Sequence, residues 1–160
     1  MMSKQKLRHW IYLAIFIAIA GAAAWYLLLH DANLTEEKIR EELAGRQASY
    51  SAVADYLIEK GAAAEITGAV TAGRTYGVPE EDSDAYRAFA GGVRVLTENN
   101  CVRIQSTGKA VLFYMKPQGG FLNQEYYILA KNAENATLAN NQPNTLNDDG
   151  WKYYLAQGKP

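Results

Sequence analysis

The most recognisable chemical spacing in this chain is Ser106-Thr107-Gly108-Lys109. In an S-x-x-K pattern a lysine can activate a serine for acyl transfer, provided that the serine opens a helix. Here the four residues lie between two strand-like segments, and Ser, Thr and Gly are turn formers, so the spacing reads as a hairpin turn. Arg103 stands where a phosphate-binding G-x-x-x-x-G-K loop would require glycine. The two histidines, His9 and His30, flank an apolar run instead of entering the body of the chain. That placement argues against a Ser/His/Asp or Cys/His nucleophile. One cysteine and one histidine after position 29 also fall short of the three or four ligands that zinc takes. Cys101 is the sole cysteine, forms no intramolecular disulfide and reads as a small buried residue opening a strand. Glu80, Glu81, Asp82 and Asp84 gather oxygens of the kind that hold Ca²⁺, but the loop glycine and distal glutamate are missing, and a solvated helix N-terminus explains them. Carboxylate pairing for glycoside hydrolysis is uninformative, since 17 acidic residues make some pair inevitable. No cofactor and no metal are expected.

Aromatic rings are the stronger lead for binding. Tyr114, Tyr126, Tyr127, Trp151, Tyr153 and Tyr154 fall on segments that read as strands. Alternation along a strand turns some of these rings outward, where they would offer an aromatic surface to a glycan, a peptide or a partner protein. Cross-strand packing of half-buried rings is the competing structural use.

The element that addresses the whole chain is the run 10–29, twenty residues without a charge, preceded by Lys4, Lys6, Arg8 and His9. At a rise of ~1.5 Å per residue it matches a bilayer's hydrocarbon thickness of ~30 Å. A cleavable signal peptide has a shorter apolar core ending at small residues. Here Trp25, Tyr26, Leu27, Leu28 and Leu29 follow the alanines, which favours a retained anchor. Trp10 and Tyr12 at one end, with Trp25 and Tyr26 at the other, suit the headgroup layers. The basic flank lies wholly before the run, so the N-terminus is expected in the cytoplasm and the remainder outside it. Ala14, Ala18 and Ala22 recur at four-residue steps on one face and suggest a homodimer contact.

Four regions follow: a basic tail 1–9, a transmembrane helix 10–29, a membrane-proximal amphipathic helix 30–61, and a domain 62–160 packed with that helix. Beyond the anchor, 13 Lys/Arg stand against all 17 Asp/Glu, a formal charge of −4. Without a basic stripe to neutralise phosphates, nucleic acid is not an expected partner.

The expected fold class is α+β: the amphipathic helix packed on an antiparallel meander of about four strands. Asn33 and Glu36 have capping-box spacing; Ile39, Leu43, Tyr50, Val53 and Leu57 recur at helical steps, and Gly61 marks a stop, which predicts one helix over 34–60. Arg46 interrupts an otherwise coiled-coil-like seam, so the apolar face is expected to lie on a sheet. The short link His30-Asp31-Ala32 would carry this helix on almost straight from the membrane segment. A short strand is signalled within 65–71, and Asp82 or Ser83 can cap a helix through Tyr86 and Phe89, ended by Gly91-Gly92 or continued through Val93 and Leu96. Segments 101–105, 109–116, 124–131 and 151–156 read as strands, the first three joined as antiparallel hairpins. Val111, Phe113 and Met115 alternate with Leu112, Tyr114 and Lys116, which predicts one covered apolar face.

A long helix with an apolar first half, followed by an antiparallel meander, resembles the layout of type IV pilin-like proteins. The resemblance implies a subunit that assembles into filaments. The chain departs from that family at the junction, which is His9-Trp10-Ile11, and in having no glutamate in the apolar run. The leading expectation is a non-catalytic, single-pass membrane protein whose extracytoplasmic domain binds or scaffolds an envelope protein or glycan. A pilin-like subunit and an anchored hydrolase using carboxylates alone are the alternatives.

Overall fold

A computed structural model describes residues 4–29, 34–67, 78–119, 124–135, 143–147 and 149–157. Helix α1 (Lys4–Leu29) contains the apolar run, and its window His9–Tyr26 is long and apolar enough to cross a membrane. His30, the link that follows it and Asn33 lie outside the described residues, as do 68–71 of the strand signalled within 65–71.

Helix α2 (Glu36–Gly45) starts on Thr35, whose hydroxyl accepts the Lys38 amide at 3.4 Å, with Glu36 and Glu37 in the first turn where the helix dipole favours them. The expected single helix is two. At Arg46 the backbone leaves helical geometry (φ −131°, ψ 23°), and α3 (Gln47–Glu59) begins afresh. Arg46 forms an ion pair with Glu42 and donates to Asn99 Oδ1 at 3.3 Å, so the break is held by side chains. Helix α3 closes in a Schellman motif: Ala62 N donates to Leu57 O at 2.9 Å, Gly61 N donates to Ile58 O at 3.0 Å, and Gly61 takes φ +58°.

Strand β1 (Ala63–Thr67) follows, then α4 (Asp84–Glu98), capped by Ser83 Oγ accepting from Tyr86 N at 3.1 Å. The helix runs through Gly91-Gly92, because Val93 and Leu96 keep the apolar face in step and are fully buried. Gly92 lets α4 approach α3 closely: a Cβ there would lie 2.9 Å from both the Ser49 carbonyl oxygen and Val53 Cγ2.

The sheet has six antiparallel strands, not four, in the order β1-β2-β3-β4-β6-β5. Strands β2 (Cys101–Thr107), β3 (Val111–Met115), β4 (Glu125–Lys131) and β6 (Trp151–Gln157) are the four read from sequence. Edge strands β1 and β5 (Asn144–Thr145) complete it; β5 is too short to leave a periodic signal. Gln118 bridges Glu125 across the β3–β4 hairpin, and a short 3₁₀ turn, 133–135, follows β4.

Helices α2 to α4 cover one face of this sheet. Ile39, Leu43, Tyr50, Val53, Leu57, Phe89, Val93 and Leu96 meet Ile66, Ile104, Phe113, Leu129 and Trp151 in the main core. The second face is also buried at its centre, where Leu112, Tyr114, Ile128, Ala130, Ala133 and Tyr154 form a smaller cluster. One covered face was expected; both are covered, and all five residues of β3 are buried. That explains why the Val111–Met115 run is apolar at every position, since a strand sandwiched on both sides has no solvent face to mark.

Candidate functional site

The residues singled out from sequence are held by structure. Ser106 is buried; its hydroxyl donates to the Ala62 carbonyl at 2.7 Å and accepts the Gly108 amide at 3.0 Å. It ties the β2–β3 turn to the end of α3 and does not open a helix. Cys101 is buried and donates to the Arg103 carbonyl at 3.5 Å, and its thiol is pushed up to about 12 by that burial. A thiol so disposed is inert. In the acidic cluster, Glu81 pairs with Lys60 at 2.8 Å, and Asp82 and Asp84 pair with Arg87 at 2.6 and 2.5 Å. Among the described residues no group of three or more His, Cys, Asp or Glu is placed to hold a metal.

The six aromatic residues do not form one outward surface. Tyr127, Trp151 and Tyr153 point into the helix-covered core, Tyr114 and Tyr154 into the cluster on the opposite face, and Tyr126 is half-buried beside that cluster. Burial at the centre of both faces is the physical reason: alternation sends successive rings to opposite sides, and a core cluster lies on each. Trp151 packs against Tyr50 at 6.0 Å and Phe113 at 5.9 Å between ring centroids, and its buried indole N–H has no hydrogen-bond partner among the described residues. Tyr50 donates to Glu42 Oε1 at 3.1 Å. Burial first and the Glu42 charge second hold the Tyr50 and Tyr127 phenols above their ordinary range, so both stay protonated.

A different place gathers charged groups from β1, β2 and the residues after β3. The β2–β3 register shifts between Cys101 and Arg103, so that Cys101 faces Met115 and Arg103 faces Tyr114, with Val102 extra. A β-bulge of this kind re-aims side chains. Its effect here is that the neighbours Val102 and Arg103 both turn to the face away from the helices: Val102 packs on the smaller cluster, and the Arg103 guanidinium lies over the Tyr114 ring, 3.8 Å from its centroid. Tyr114 is itself fixed from beneath, its hydroxyl donating to Gln105 Oε1 at 2.9 Å.

Beside this stack opens a groove of about 520 Å³, lined by Glu65 and Thr67 of β1, Val102 and Arg103 of β2, and Lys116 and Pro117 after β3. Lys116 is placed there by its amide, which donates to Asn100 O at 2.6 Å. Arg103 reaches Glu65 only at 4.0 Å, and its buried Nε has no hydrogen-bond partner among the described residues. Among the described residues neither Arg103 nor Lys116 makes a side-chain hydrogen bond. By contrast Arg40 and Arg87 each engage two groups, Arg40 with Glu36 and the Leu146 carbonyl, Arg87 with Asp82 and Asp84. Sequence reasoning missed Arg103, Lys116 and Glu65, because only the bulge and the strand register bring them to one groove.

Comparison of the chain with family models, with curated proteins and with solved structures finds no match to any of the three.

Proposed function

We infer that the protein is a single-pass membrane protein whose folded α+β domain stands on the extracytoplasmic side and binds another envelope component without turning it over. The observation that carries this reading is the division of apolar surface. None of the window His9–Tyr26 is buried, and Trp10, Tyr12, Phe16, Ile19 and Trp25 are each more than 60% exposed. The two core clusters meanwhile contain no residue of α1. Apolar surface of that extent, unused by the fold, is stable in lipid and costly in water.

Orientation rests on Lys4, Lys6 and Arg8 before the span, which favour a cytoplasmic N-terminus, and the interface rings Trp10, Tyr12, Trp25 and Tyr26 bracket the segment. The non-catalytic part of the reading is supported by Ser106, Cys101 and the Glu81–Asp84 cluster, each of which already has a structural partner. The groove beside Arg103 is a surface this domain offers for binding.

The test uses the full chain. Expressed in cells, it should partition with integral membrane proteins, and the detergent-solubilised protein should show no turnover on a panel of ester, peptide and glycan substrates. Multiple turnover of any of these, abolished by substitution of a carboxylate pair, would replace this reading with an anchored hydrolase.

A further inference from the structure

We propose that the groove beside Arg103 is a receptor for the carboxylate side chain of an acidic peptide segment on a partner protein. The inference deepens the binding function proposed above and rests on it. The Arg103 guanidinium carbon lies 3.8 Å from the Tyr114 ring centroid, and this cation–π contact restrains the guanidinium fork before any ligand arrives. A pre-oriented fork is the donor geometry that a carboxylate accepts in bidentate fashion. Its side chain remains 31% exposed, so the terminal nitrogens are reachable. Lys116 lines the same groove with a second positive charge, one that makes no side-chain hydrogen bond among the described residues.

Charge selects among anions. Arg103 and Lys116 against Glu65 leave the groove with one net positive charge, which matches a monoanion. A phosphate dianion would place its second charge against Glu65, already 4.0 Å from Arg103 Nη1. A chain-terminal carboxylate is ordinarily captured by a nest of backbone N–H groups. The side chains lining this groove supply instead a guanidinium, an ammonium, the Thr67 hydroxyl, the Gln124 amide and the apolar walls Val102 and Pro117, which suit a carboxylate on an aliphatic stem.

The full chain in detergent micelles, labelled for arginine Nε–Hε detection by NMR, tests this with four probes: acetyl-Val-Glu-Val-amide, its Gln counterpart, acetyl-Val-Ala-Val with a free C-terminus, and inorganic phosphate. The Glu peptide should shift the Arg103 Nε–Hε signal saturably, and the Gln peptide should not. Affinity for the Glu peptide, measured by titration calorimetry on the parent and each variant, should fall at least tenfold in Arg103→Gln and about threefold in Lys116→Gln. Arg103→Lys, which keeps the charge and loses the fork, should recover only part of it. An unchanged Trp151 indole signal verifies that each variant is folded. Equal binding of Glu and Gln peptides, tighter binding of the free terminus or of phosphate, full recovery by Arg103→Lys, or no saturable shift with any probe would overturn the proposal. A failed titration leaves the membrane anchor standing, whereas turnover or a water-soluble full chain would remove the proposed function and leave the titration result as it is.

Discussion

Gly108 and Gly61 meet backbone to backbone: a Cβ on Gly108 would lie 2.5 Å from the Gly61 carbonyl oxygen. Both take positive φ, +79° and +58°, and together they seat the β2–β3 turn on the end of α3. The two differ in surroundings, since a Cβ on Gly61 would meet nothing within 4 Å. Gly61→Ala should therefore cost only the left-handed backbone term, about 1 kcal/mol. Gly108→Ala adds a clash with backbone that no side-chain rotation relieves and should cost at least about 2 kcal/mol. Urea midpoints of the two variants check the order.

Adjacent glycines in α4 should respond with opposite signs. Gly91 faces open space, so Gly91→Ala should stabilise by roughly 0.5–1 kcal/mol through helix propensity. Gly92→Ala would push its Cβ to 2.9 Å from Ser49 O and Val53 Cγ2 and force α3 and α4 apart, with a cost of about 1–3 kcal/mol. Thermal melts of both, with unchanged far-UV spectra, distinguish the two.

Ser106 should behave as a tie and not as a nucleophile. Ser106→Ala leaves the Ala62 carbonyl and the Gly108 amide without their partner and should cost about 1–3 kcal/mol. A fluorophosphonate probe should label neither the parent nor the variant; covalent labelling at Ser106 would revive an acyl-transfer reading.

Burial of Cys101 sets an alkaline stability limit. Its thiol is raised from the ordinary 9.0 to about 12 in the folded state. Below pH 9 both states hold the proton; between pH 9 and 12 the unfolded chain releases it while the native chain keeps it. Stability therefore falls as pH rises through that window, by up to ~1.4 kcal/mol per pH unit for this group. Tyr50 and Tyr127, also raised by burial, add the same sign above their ordinary 10.0. Denaturant unfolding from pH 8 to 11 should show this decline, with a shallower slope between pH 9 and 10 in Cys101→Ala. A thiol reagent should leave the native protein unmodified at neutral pH.

Much of the fold is legible in the residues. The capped start near Glu36, the Gly61 stop, the Ser83 cap and four of the six strands all follow from local rules that tertiary contacts then reinforce. Three features are not local. Arg46 breaks the first helix through an ion pair with Glu42 and a contact 53 positions away at Asn99, which no window of helical spacing reveals. The aromatic positions were legible as strand residues but not as buried ones, because alternation tells two faces apart and does not say that both are covered. The Arg103 groove depends on a one-residue bulge, and a register shift leaves no trace in composition.

The central claim is that α1 resides in a bilayer with the folded domain beyond it. Two treatments of cells producing the full chain test it most directly: an alkaline carbonate wash of their membranes, and, on separate intact cells or spheroplasts, protease added from outside. The account predicts that the chain stays in the pellet after washing and that intact cells or spheroplasts expose the domain to cleavage while a short N-terminal fragment survives. Release of the full-length chain into the wash, or a domain protected from external protease, would contradict it.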